Sequence, residues 1–95
     1  MVIRTETFAA WFRGLRDRAA AARIAIRIDR LALGNPGKHR SLTGGVREMK
    51  IDYGPGYRVY FTERAGEIVI LLSGGDKKSQ DADIAAAIRM VSELE

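Results

Sequence analysis

Residues 45–78, GVREMKIDYGPGYRVYFTERAGEIVILLSGGDKK, constrain this chain most, because they read as three successive strands joined by two tight turns. The first, residues 46–52, alternates apolar and polar side chains. Tyr53-Gly54-Pro55-Gly56 then supplies the glycines and the fixed proline φ that a reversal needs. Residues 57–63 return as a second strand. With Asp52 set opposite Arg58, alternation places Met49, Ile51, Tyr57, Val59 and Phe61 on one face. Glu48, Lys50, Asp52, Arg58, Tyr60 and Thr62 fall on the other. A second turn at Arg64-Ala65-Gly66-Glu67 leads into residues 68–72, which are apolar throughout, the pattern of an inner strand covered on both sides.

The remaining chain has to cover this sheet. Its 95 residues suffice for one domain with a two-layer core. With no cysteine and His39 as the lone histidine, a disulfide framework, a thiolate site and a histidine-cluster metal site are all excluded, and no metal or other cofactor is expected. No apolar run approaches the roughly 20 residues of a membrane span, and the segment before Thr5 is too short and too soon charged for a signal peptide. A cytoplasmic protein without membrane contact is the expectation. A net charge of +4 permits a nucleic-acid or acidic-protein partner without requiring one.

Residues 2–4 form a candidate edge strand, and Thr5 a candidate N-cap for a helix over residues 6–15 that carries Phe8, Trp11 and Phe12 as core. Asp17 caps a second helix with Ala21, Ile24, Ile28 and Leu31 on its buried face, stopped by Gly34-Asn35-Pro36-Gly37. Arg23, Arg27 and Arg30 make a separate stripe on it, either a solvated face or a rail for phosphates. Residues 38–44 are a polar, basic connection in which His39 has an ordinary pKa near neutrality. Gly74-Gly75-Asp76-Lys77-Lys78 could cradle a phosphate but lacks the spacing of a nucleotide-triphosphate loop. Ser79 or Asp81 caps a final helix with Ile84, Ala87, Ile88, Val91 and Leu94 as its apolar stripe. The order β-α-α-β-β-β-α predicts an α+β fold, two N-terminal helices packed on a small, mostly antiparallel sheet with a C-terminal helix.

The polar hairpin face draws attention because strands hold functional groups in fixed geometry. Asp52 with Arg58 reads as an exposed ion pair worth under about 1 kcal/mol. Lys50, Arg58, Lys77 and Lys78 together suit a sugar-phosphate backbone, and Glu48 is the carboxylate best placed for a general base.

Three segments then carry a family resemblance: GVREMKIDYGPGYRVYF at residues 45–61, LLSGGDKKSQDADI at residues 71–84, and LGNPGKHRSL at residues 33–42. With them the chain resembles the RelE/ParE superfamily of toxin-antitoxin toxins, most closely its HigB-like addiction module killer branch. The resemblance implies a microbial RNase-like fold, neutralisation by a cognate antitoxin, and cleavage of messenger RNA on the ribosome, with operator DNA bound only as the toxin-antitoxin complex. It implies Arg58 as the group stabilising the scissile phosphate, with Lys50 and Lys78 or Lys77 at the family's other basic positions; Glu48, from its place on the polar hairpin face, would be the base. RNA would be bound by Lys50, Arg47, Tyr60, Arg23, Arg27 and Arg30. RelE-like enzymes carry an acid/base tyrosine or histidine near the C-terminus, where this chain has Ile84. A ParE-like inhibitor of DNA gyrase and a non-catalytic co-repressor remain as alternatives.

Overall fold

The computed structural model describes residues 1–94. The chain runs β1 (Val2–Arg4), α1 (Glu6–Arg13), α2 (Arg18–Ala32), β2 (His39–Ser41), a single 3-10 turn (Thr43–Gly45), β3 (Arg47–Ile51), β4 (Tyr57–Arg64), β5 (Ile68–Gly75) and α3 (Gln80–Leu94). One five-stranded sheet has the order β1-β5-β4-β3-β2, with β1 parallel to β5 and every other pair antiparallel. The α+β architecture is as the sequence leads one to expect.

The two N-terminal helices start and stop on local chemistry. Thr5 Oγ1 accepts the Phe8 N–H at 3.1 Å and Asp17 Oδ1 accepts that of Ala20 at 3.1 Å. At the end of α2, Gly34 adopts φ +89° while the Asn35 and Gly34 N–H groups close back on the Arg30 and Leu31 carbonyls, a Schellman arrangement. Phe8, Ile24, Ile28 and Leu31 then pack with Met49, Ile51, Val59, Phe61, Val69 and Leu71 on one face of the sheet.

Helix α3 covers the opposite face, where Ala87 and Val91 meet Val46, Tyr60, Ile70 and Leu72. The hairpin face that reads as polar in sequence is therefore largely interior. Glu48, Arg58, Thr62 and Ser73 are all buried, between 4% and 6% exposed. β5 is the inner strand expected, with Val69 and Leu71 in one cluster and Ile70 and Leu72 in the other.

Two expectations are corrected. Residues 39–41, read as connection, form an edge strand paired with β3 through Arg40↔Glu48. Arg58 pairs with Lys50, two residues from the partner expected; the slip preserves alternation, so each side chain keeps its expected face. Asp52 instead meets Lys38 at 3.1 Å and Lys50 at 3.5 Å.

A bulge explains the paired glycines. The β4–β5 register jumps from Tyr60↔Ser73 to Phe61↔Leu71, inserting Leu72 and reversing the alternation beyond it. Gly74 consequently lies under the Trp11 ring, where a Cβ would come within 2.2 Å of the ring carbons. Gly75 faces α3, where a Cβ would come within 1.8 Å of Asp83 Oδ2. Close approach of a ring and a carboxylate demands both glycines, a packing role in place of a phosphate cradle.

Candidate functional site

At the end of the hairpin away from the Arg64–Glu67 turn, β2, β3, β4 and the start of α3 converge around Glu48. Arg40 Nε donates to Glu48 Oε1 at 2.7 Å, and Gln80 Nε2 donates to Oε2 at 2.9 Å. Arg58 Nε stands 3.9 Å from Oε2, an ion pair too long for a hydrogen bond, and its Nη1 donates to the Gly56 carbonyl at 2.6 Å. Burial pushes the Glu48 carboxyl up, but its bonds from Arg40 and Gln80 and the Arg40 charge outweigh that and hold it below the usual carboxylate value. Glu48 is thus ionised at neutral pH with both oxygens engaged.

Three donors in this layer lack partners. Arg58 Nε, the Tyr60 hydroxyl and Ser73 Oγ are buried without a hydrogen bond among the described residues. Burial and the Glu48 charge push the Tyr60 phenol far above its ordinary pKa, so it stays protonated. Such unmet polar groups are costly, about 1–3 kcal/mol each.

Two open hollows flank Arg58. One, about 470 Å³, is lined by Lys38, His39, Arg40, Glu48, Lys50, Arg58 and Gln80. The other, about 410 Å³, is lined by Lys50, the Asp52–Gly56 turn, Arg58 and Lys77. Lys50 and Arg58 belong to both. Lys50, Arg58 and Lys77, three of the four cations expected to form a concavity, are thus brought together, with Arg58 recessed at the floor, its side chain 7% exposed.

The other expected residues are dispersed. Lys78 lines neither hollow, and its N–H is held by Asp76 Oδ1 at 2.8 Å in the turn before α3. Tyr60 is wholly buried, so no nucleobase can stack on it. Arg47 pairs with Glu63 at 3.1 Å, three ladder positions from Lys50. Arg27 spends its guanidinium on the carbonyls of Lys50, Pro36 and Lys38, at 2.7, 3.1 and 3.0 Å, and burial lowers its pKa. It is a clamp between α2 and the sheet edge. Arg23 stacks on the Tyr53 ring at 4.5 Å, and Arg30 joins Arg23 and Arg27 around a separate hollow beside Asp52. The arginine stripe therefore lies round the edge of the sheet from the cleft.

Arg40 and Gln80 escaped the sequence reading. Arg40 needed its strand pairing with Glu48, and Gln80 needed the bulge that aims α3 across the sheet; neither shows in a local pattern. His39 borders the cleft, but its pairing with Met49 sets its side chain on the α1/α2 side, with Nδ1 2.9 Å from the Gly37 carbonyl.

Fold and site together define a small α+β protein with a cation-lined cleft at one end of its sheet. Among the described residues no cluster of histidine, cysteine and carboxylates could hold a metal ion, and no helix is long and apolar enough to cross a membrane. The chain belongs to the family described as phage derived protein Gp49-like (DUF891), whose model matches residues 10–91. It is also 47% identical over 90 residues, 95% of this chain and 91% of the other, to a protein of Haemophilus influenzae (strain ATCC 51907 / DSM 11121 / KW20 / Rd) described as an uncharacterized protein. This overturns the resemblance to RelE/ParE toxins, because the Gp49-like family is a distinct one. The motifs behind that resemblance have structural causes: the Gly-Pro-Gly turn closes a hairpin, and Gly74-Gly75 admits Trp11 and Asp83.

Proposed function

We propose that this protein is a cytoplasmic toxin of a type II toxin-antitoxin pair that cuts messenger RNA on the ribosome and is restrained by a cognate antitoxin. The observation that carries the reading is the buried, under-coordinated Arg58 guanidinium at the floor of a cleft whose walls supply Lys38, Arg40, Lys50 and Lys77. Donors fixed before the substrate arrives stabilise charge that develops in a transition state.

In this mechanism the ribose 2′-oxygen attacks phosphorus, the bond to the 5′-oxygen breaks, and a 2′,3′-cyclic phosphate and a 5′-hydroxyl result. Glu48 takes the 2′-hydroxyl proton on the second lone pair of Oε2, while Gln80 and Arg40 hold the carboxylate in place. Arg58 and Lys50 face the phosphorane oxygens, with Lys77 beside them. Solvent returns the proton to the leaving 5′-oxygen. A carboxylate held this acidic is a weak base, so positioning by the ribosome has to supply much of the rate. A host making such an enzyme needs a tight inhibitor, which supports the antitoxin.

The test is cell-free translation with the purified protein and mapping of message ends. The expected result is breaks in ribosome-bound message that Lys50→Ala reduces about 100-fold. Intact message under active translation would overturn the reading.

A further inference from the structure

The two hollows differ in chemistry yet share one wall, and that division has a consequence for what the cleft takes. We infer that it is built for one phosphodiester flanked by two nucleosides, with the phosphate on Lys50 and Arg58, one nucleoside in each hollow, and Gln80 reading the base on its own side. This rests on the proposed action on RNA.

Each hollow, about 470 and about 410 Å³, has room for a nucleoside, and only the side chains of Lys50 and Arg58 face both. A phosphate at that shared wall would meet the Arg58 guanidinium through Nη2, which makes no hydrogen bond among the described residues, while Nη1 stays on the Gly56 carbonyl and Nε lies buried toward Glu48. The hollow on the far side is bounded by the hairpin turn and Lys77, including Tyr53, which Arg23 holds from behind. A mononucleotide could fill one side only.

The Gln80 hollow is lined by cationic donors, Lys38, Arg40, Lys50 and Arg58. Its carboxylate has both oxygens engaged. Donation by Nε2 to Glu48 at 2.9 Å orients the Gln80 amide and leaves its Oε1 free to accept. A neutral, oriented acceptor favours bases that present an exocyclic amine, cytosine, adenine or guanine, over uracil, whose single donor, the ring N3–H, lies between two carbonyl oxygens that the Gln80 oxygen would repel. A single neutral hydrogen bond of about 1.4 kcal/mol corresponds to a tenfold preference.

The experiment titrates isotope-labelled full-length protein by NMR with inorganic phosphate, cytidine 3′-phosphate, and dinucleoside monophosphates whose first ribose lacks the 2′-hydroxyl. The dinucleotides should bind at least tenfold more tightly than the mononucleotide. They should shift the Arg58 Nε–H, the Gln80 amide and the Gly54 and Gly56 N–H signals together, whereas phosphate shifts Arg58 alone. Replacing the base beside Gln80 by uracil should cost about tenfold in wild type and nothing in Gln80→Ala. Equal affinities for mono- and dinucleotide, or shifts confined to one hollow, would overturn the inference. Binding in both hollows by a protein that leaves translated message intact would keep the inference and end the reading as a nuclease.

Discussion

The two faces of the sheet are built to different rules. Under α1 and α2 the contact is apolar throughout, from Phe8 and Ile24 to Phe61 and Leu71, and every strand side chain there alternates inward as the pattern demands. Under α3 the same strands present Glu48, Arg58, Thr62 and Ser73, all buried, and three of the polar atoms in that layer have no partner. The first face supplies stability. The second gives some of it up, and unmet donors around a cleft are what a site organised for an incoming anion requires.

Substitutions should separate the faces, the largest effect falling on the apolar one. Phe61→Ala should lower unfolding free energy by about 4 kcal/mol in denaturant titration. Gly74→Ala, which drives a Cβ into the Trp11 ring, should cost about 3 kcal/mol. On the polar face the sign should reverse: Tyr60→Phe removes a buried hydroxyl without a partner and should stabilise by about 1 kcal/mol. A loss of stability in Tyr60→Phe would break the comparison, since it would mean the hydroxyl is satisfied.

Glu48 adds a pH dependence confined to the α3 face. Its native pKa is held below the ordinary 4.5, so the stability it contributes is complete above that value and is lost as pH falls through the depressed native one. Glu48→Gln should flatten the acid limb of a stability-against-pH curve, and an unchanged limb would place the titration elsewhere. The smallest effect belongs to the second hairpin turn, where Ala65 sits at φ +56° beside Gly66. Ala65→Gly should gain about 0.5 kcal/mol, relief of the left-handed strain less the entropy cost of glycine, with no change at the cleft.

The regular parts of this fold were legible because each rests on local chemistry. Thr5, Asp17 and Gly34 mark helix ends by hydrogen bonds made within a few residues, and alternation survives a two-residue register slip. The irregular parts were not. The strand at His39–Ser41 is exposed along its length and has no apolar alternation to betray it; only pairing with β3 makes it a strand. The Leu72 bulge leaves no mark in an apolar run, yet it decides which way Gly74 and Gly75 face. For the site, charge type pointed to Lys50, Arg58 and Lys77 but could not distinguish a recessed guanidinium from one spent on carbonyls, as in Arg27.

The recessed guanidinium is also where the account is most exposed to measurement. The Arg58 Nε–H signal can be followed as single-stranded RNA lacking the reactive 2′-hydroxyl is added to labelled protein. A saturable downfield shift, strongly reduced in Lys50→Ala, is the predicted result. A signal that does not move while RNA binds elsewhere on the protein would contradict the assignment of this cleft to a phosphodiester.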